Sequence, residues 1–126
     1  MNLRTEIKKL DRVFSKYIRL RDRVDGDFCK CCTCGRVKHW KEMDAGHFIN
    51  RRYYGVRFDE RNVHAQCRYC NRFNEGEQAK YAEFLKKKYG PDIADILNAS
   101  KKIYKLNIHD VNLMLICYKA EVKEML

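Results

Sequence analysis

Proline occurs once in the 126 residues, at Pro91, and glycine only six times. So few chain breakers exclude a proline-rich linker or a low-complexity disordered tail. Nowhere do eighteen apolar residues run together, and the opening MNLRTEIKKL lacks the apolar core of a secretion signal. Neither a membrane partner nor export is expected, and a cytoplasmic location is. Acidic residues are also in short supply, with 17 Asp and Glu against 27 Lys and Arg, a formal charge of +10. A polyanionic partner follows as an expectation, because cations gathered against phosphates release counterions. The tyrosines interleaved with those cations favour nucleic acid.

With 45% hydrophobic residues, 15 aromatics and no internal repeat, the chain reads as one folded domain spanning 1–126. Leu3, Ile7, Leu10, Phe14 and Tyr17 recur three or four apart, which predicts an amphipathic helix over 3–24 that ends at Asp25-Gly26-Asp27. Between Arg36 and Gln66 the pattern suggests short strands near 38–41, 43–49 and 62–66. Helical periodicity returns from Arg68, with Tyr81, Phe84, Leu85 and Tyr89 on one face before Gly90-Pro91. A short helix near 92–99 and a last one near 110–125 complete the chain. The fold class expected is α+β, mainly helical: an N-terminal helix (1–25), a cysteine-stapled ββα core (29–90) and C-terminal helices (91–126).

Seven cysteines, an odd number without an export signal, fit metal ligands plus free thiols better than disulfides. Cys31-x2-Cys34 and Cys67-x2-Cys70 are two chelating pairs, and four thiolates at about 2.3 Å would close a tetrahedral, structural zinc site. Arg36, Arg68 and Arg72 stand near enough in sequence to offset its negative charge. Cys29 and Cys32 have the same spacing and remain an alternative, although Gly35 after Cys34 favours the first choice. Cys117 is expected to be a small core residue, and His39, Trp40 and His109 are assigned to surface or packing roles.

Between the two pairs lie DAGHFINRR from Asp44 and RFDERNVHAQCRYCN ending at Asn71. His47, Asn62 and Asn71, in that order, resemble the HNH, or ββα-metal, nuclease motif. More narrowly, LDRVFSKYIRLRD, CCTCGR, DAGHFI, RFDERNVHAQC and CNRF resemble the phage NinG (Rap) recombination family over residues 10–90. That resemblance implies a structure-selective DNA endonuclease, a hydrolase acting on Holliday junctions and displacement loops in the host cytoplasm. DNA and other recombination proteins would be its partners, and the apolar stripe of the last helix could pair two chains.

Carried onto these positions, the resemblance makes His47 the general base, Asn71 a ligand to a catalytic Mg2+ or Mn2+, and Asn62 the residue that holds the loop against the His47 strand. Gly46 stands where the motif usually has Asp or His, so a further metal ligand must come from Asp44 or His64. Arg51, Arg52 and Arg57 follow the catalytic strand and are candidates to clamp phosphate. Tyr53 and Tyr54 are candidates to stack on an unpaired base, with packing as the alternative. Two other readings stand beside this one: a non-catalytic zinc-knuckle adaptor that binds DNA, and an HNH nicking or homing enzyme acting on duplex.

Overall fold

Helix α1 (Leu3–Arg21) begins at Asn2, whose side chain accepts the Thr5 backbone N–H at 3.3 Å. Its buried stripe is Ile7, Leu10, Phe14 and Ile18. The computed structural model describes residues 2–102 and 105–126. The helix stops at Arg21 rather than at 24, because Asp22 turns its carboxylate to Arg21 and to the Ala65 backbone N–H, at 2.8 Å each. Gly26, at φ 54°, then serves a hairpin turn and not a helix end.

That hairpin joins β1 (Arg23–Asp25) to β2 (Phe28–Lys30), and β3 (Val37–His39) completes a three-stranded antiparallel sheet in the order β1-β2-β3. Residues 23–25, expected to finish the first helix, are thus part of the sheet that leads into the cysteine knuckle. A single 3-10 turn over Trp40–Glu42 leads into β4 (Met43–His47), which pairs antiparallel with β5 (Val63–Cys67). The register sets Met43 opposite Cys67 and His47 opposite Val63. Between these strands lies the one-turn helix α2 (Tyr54–Arg57).

After β5 the chain makes a π-type turn over Tyr69–Phe73 and breaks before α3 (Gln78–Tyr89). Glu75, Gly76 and Glu77 all take positive φ there, so the periodicity from Arg68 is interrupted. Helices α4 (Ile93–Ser100) and α5 (Ile108–Met125) follow. Val111, Leu115 and Val122 of α5 are buried, and its main neighbour is α1. Glu60 binds the two helices, accepting from Tyr17 Oη at 2.8 Å and Tyr118 Oη at 3.0 Å.

Strand β5 is buried on both sides. Val63, Ala65 and Cys67 face the α1 side, and the alternation turns Asn62, His64 and Gln66 to the other, where all three are fully buried. Most buried polar groups are hydrogen-bonded, and on these three side chains Gln66 Oε1 alone has no partner among the described residues. Their bonds, given below, hold the site together.

Candidate metal centre and cationic cleft

Strand β2 runs into Cys31, and Gly35, at φ 79°, closes the tight turn that brings Cys34 back. Cys67 ends β5 and Cys70 lies one turn on. The four Sγ atoms of Cys31, Cys34, Cys67 and Cys70 all lie within 4.8 Å of one another, with Cys34 and Cys67 at 3.7 Å. Thiolates in a zinc tetrahedron with bonds of ~2.3 Å stand about 3.8 Å apart, so the donor set and its spacing fit a structural zinc. Burial opposes ionisation of Cys31, but hydrogen bonds from the Cys67 backbone and Thr33 side chain outweigh it and lower the thiol to about 6.

Cys29 and Cys32 stand outside this cluster. Cys29 donates to the Arg19 carbonyl at 2.9 Å, and burial raises its thiol to about 11. Cys32 lies beside Tyr81 and is pushed higher still, again by burial. Cys117 is exposed on α5, which corrects its expected place in the core. Trp40 is buried, His39 caps the 3-10 turn that Trp40 begins, and His109 is exposed at the start of α5. Arg68 and Arg72 reach Asp44, and Arg36 lies over Tyr69, so these cations are turned to other partners than the thiolates.

Among the described residues β4 pairs only with β5, and beside its other edge opens a cleft of about 1010 Å³. Asp44, His47 and Asn71 all line it, together with Asp11 and Arg19 of α1. Six Lys or Arg side chains line it against three carboxylates. Pleating directs Asp44 and His47 to opposite faces of β4, and both reach the cleft because the strand is an edge. Asp44 accepts from Asn71 Nδ2 at 3.0 Å and from Arg72 Nε and Nη2 at 2.9 Å each.

His47 Nε2 lies 2.9 Å from the Arg57 carbonyl oxygen. A carbonyl only accepts, so Nε2 carries the proton and Nδ1 is left as a base. Burial lowers the pKa of this imidazole; the Arg57 carbonyl opposes the shift and the Arg51 charge adds to it.

Asn62 is fully buried and fastens the segment after β4: its Nδ2 donates to the Ile49 and Val56 carbonyls at 3.0 and 3.1 Å, and its Oδ1 accepts from Ile49 N–H at 2.8 Å. Gly46 is glycine because a Cβ there would meet Gln66 Oε1 at 2.1 Å. Gln66 is itself held by Nε2, which donates to Thr33 Oγ1 and the Gly76 carbonyl at 3.1 and 2.8 Å. A carboxylate next to His47 is therefore sterically excluded, and Asp44, two residues earlier on the same face, is the nearest upstream carboxylate.

His64 is removed from the candidate ligands. It points into the core, with Nε2 3.0 Å from Tyr89 Oη and the ring packed edge-on against Phe84. Burial lowers its pKa to about 3. Arg57 is likewise not free to clamp a phosphate, since its guanidinium is paired with Asp11 through Nε and Nη2. Arg51 is exposed and lines the cleft, whereas Arg52 donates to Tyr53 Oη at 2.8 Å. Tyr53 packs against the core that holds Ile49 and Val56, and Arg52 and Lys101 lie over its ring. Tyr54 is half-exposed beneath Arg57. Contacts from Asp44 to Arg72, and from Asp11 to Arg57, join residues far apart in sequence and carry no local signal.

Fold and site together define a mixed α+β protein in which a four-cysteine centre of metal-binding type adjoins a cationic cleft. The model of the family described as Bacteriophage Lambda NinG protein matches residues 2–126, and the chain belongs to that family. It is similar to Protein ninG of Escherichia phage 933W, 27% identical over 120 residues that cover 94% of this chain and 57% of the relative. Protein ninG of Salmonella phage P22 is 28% identical with the same coverage. That of Escherichia phage lambda is 27% identical, with 94% and 56% covered. The chain therefore spans little more than half the length of these curated relatives. No solved structure matches it.

Proposed function

We propose that the chain is a metal-dependent endonuclease of the HNH, or ββα-metal, type, which hydrolyses phosphodiester bonds in branched DNA such as Holliday junctions and displacement loops. The observation that carries this reading is the meeting of Asp44, His47 and Asn71 in one cationic cleft, beside a four-cysteine centre suited to a structural zinc. Strands β4 and β5 are followed by the π-type turn bearing Asn71 and, after a break, by α3, an order that supports a ββα reading.

Asp44 and Asn71 offer oxygen donors of the kind a hard cation takes, and they would hold Mg2+ or Mn2+. Such an ion, when bound, stabilises charge on the phosphate and on the leaving oxygen. His47 Nδ1 takes the proton of the attacking water, since the Arg57 carbonyl keeps the proton on Nε2. Arg51 and Arg68, exposed on the cleft, attract the DNA backbone. Asn62 keeps the Arg57 carbonyl in place by tying Val56 and Ile49 to the start of β5.

One observation favours a second reading, a DNA-binding adaptor without catalysis: Asp44 is already engaged by Arg72 and Asn71. Incubation of a synthetic four-way junction, a displacement loop and a linear duplex with Mg2+ or Mn2+ decides between the two. Cleavage of the branched substrates is expected, and His47→Ala should slow it by about 10²- to 10⁴-fold while zinc content stays the same. Salt-sensitive binding without cutting under either ion would favour the adaptor, and equal cleavage by His47→Ala would overturn the assignment of the base.

A further inference from the structure

Among the described residues, the aromatic side chains most open to solvent are not the two tyrosines of the basic loop but two that flank Asn71. Tyr69 is 53% exposed and Phe73 is 74% exposed, the highest value among the exposed large apolar side chains of the described residues. They stand at either end of the π-type turn that carries Asn71, with ring centroids 6.3 Å apart and planes inclined by 34°. Two neighbouring rings left open beside a polar site gain free energy when a flat apolar partner covers them.

The turn is held in this form from several sides. Gly76 N–H donates to the Cys70 carbonyl at 2.9 Å, Gln66 Nε2 to the Gly76 carbonyl at 2.8 Å, and Asn74 Nδ2 to Glu77 Oε1 at 2.8 Å. Glu75 and Glu77 accept left-handed backbone without being glycine. Residues kept in such conformations, and π-type turns, gather at functional sites. Here the conformation holds Phe73 outward while Asn71, two residues earlier, stays on Asp44.

The surroundings indicate what the rings meet. The Arg36 guanidinium lies 5.7 Å from the Tyr69 ring centre and covers it. Arg36, Lys38 and Arg68, with Glu42, line a recess of about 310 Å³ beside Tyr69. Arg72 lies between the two rings in sequence and is half-exposed. An apolar ring projecting from a cationic rim suits a nucleobase stacked on the ring with its phosphates on the cations. A protein partner with an apolar patch would bring no anion to Arg36 and Lys38.

We infer that Phe73, backed by Tyr69, is a stacking platform for one unpaired nucleobase at a branch or gap in DNA, and that it confers preference for branched over continuous duplex. This rests on the nuclease reading for the position of the cleft, but it is tested by binding alone. Affinities for a four-way junction, a gapped duplex and a continuous duplex are measured without divalent ion for the wild type, Phe73→Ala and Phe73→Trp. Phe73→Ala should bind the junction and the gapped duplex about 10-fold more weakly, leave continuous duplex unchanged, and be rescued by Phe73→Trp. A 5-iodouracil placed at the branch point should crosslink to Phe73 or Tyr69.

An unaltered preference in Phe73→Ala, or an equal loss on all three DNAs, would overturn the platform. If the wild type nevertheless cuts junctions when Mg2+ is added, the nuclease reading survives that failure. If Phe73→Ala loses the preference while no protein cuts DNA, the platform stands and the nuclease reading falls. Phe73 is largely exposed, so unchanged helical content and zinc content are expected in both variants.

Discussion

The four-cysteine centre and the cleft lie side by side, joined through Cys70 and Asn71, yet they are built in opposite ways. Three of the four thiols are buried, their sulfurs converge, and the surrounding side chains, among them Leu20, Trp40, Met43 and Val122, are apolar. The cleft is lined by half-exposed cations, and its central carboxylate is satisfied by an arginine and an amide. Convergent ligands without an open position stabilise a fold, whereas exposed charges in an open groove add little to stability and are available to a partner. One region should therefore respond to perturbation through folding and the other through function.

The largest effect should come from the centre. Removing the metal with a strong chelator, or replacing one ligand by Cys67→Ser, withdraws binding free energy on the order of 10 kcal/mol, close to the whole stability of a small domain. Circular dichroism should then show loss of the cooperative unfolding transition, with zinc content falling in parallel. A native-like transition in metal-free protein would mean that the apolar surroundings alone hold Cys31 and Cys67 together, and the contrast between the two regions would fail.

How far each region can be read from sequence follows from the same contrast. Chelation depends on spacing within a turn, so the two Cys-x2-Cys pairs are visible locally, as are the i, i+3 and i+4 stripes of α1 and α5. Of the three-stranded sheet only β3 is, near the strand expected at 38–41; β1 and β2 are not, because three residues such as Phe28–Lys30 are too few to show a period. Gly26 imitates a helix end while serving a hairpin, and the break after Phe73 depends on Gln66 reaching Gly76 from another element. His64 looks available from its place after Asn62, but β5 is covered on both faces and the pleat turns the ring into the core. Asp44 and Asn71 meet through the pairing of β4 with β5, which a linear pattern hints at only through a family resemblance.

A second, smaller effect separates support from function within the loop that borders the cleft. Asn62→Ala leaves the buried Ile49 N–H and two carbonyls without their partner, which should cost about 3 kcal/mol in urea unfolding. Arg51→Ala, a few residues away on the exposed rim, should alter stability by no more than about 0.5 kcal/mol. If the two variants proved equally stable, the loop would owe its shape to the packing of Val56 and Ile49 and not to the asparagine.

The smallest effect is one of pH, and it too divides along the two faces of the β4–β5 sheet. Burial lowers the pKa of His64 to about 3, and that of His47 in the same direction. Well above pH 6.5 both are neutral in folded and unfolded chains alike and contribute nothing to the pH dependence. As the pH falls below 6.5 the unfolded chain takes up protons that the folded one refuses, so stability declines, by at most about 1.4 kcal/mol per pH unit for each histidine, and for His64 the decline ends only near pH 3. Denaturant titrations of His64→Gln against wild type at pH 7.5, 6.5 and 5.5 isolate this term, because acid protonation of the cysteines affects both proteins equally. The wild type should lose about 1 kcal/mol more than the variant between pH 6.5 and 5.5. If His47 is the base of the proposed nuclease, the same lowering has a functional sign: the imidazole keeps its lone pair to lower pH, so the acid limb of kcat/KM should lie below the pKa of a free imidazole. Parallel stability curves for wild type and His64→Gln would show that the ring takes up a proton in place, with the Tyr89 hydroxyl and nearby Asp22 accommodating the charge.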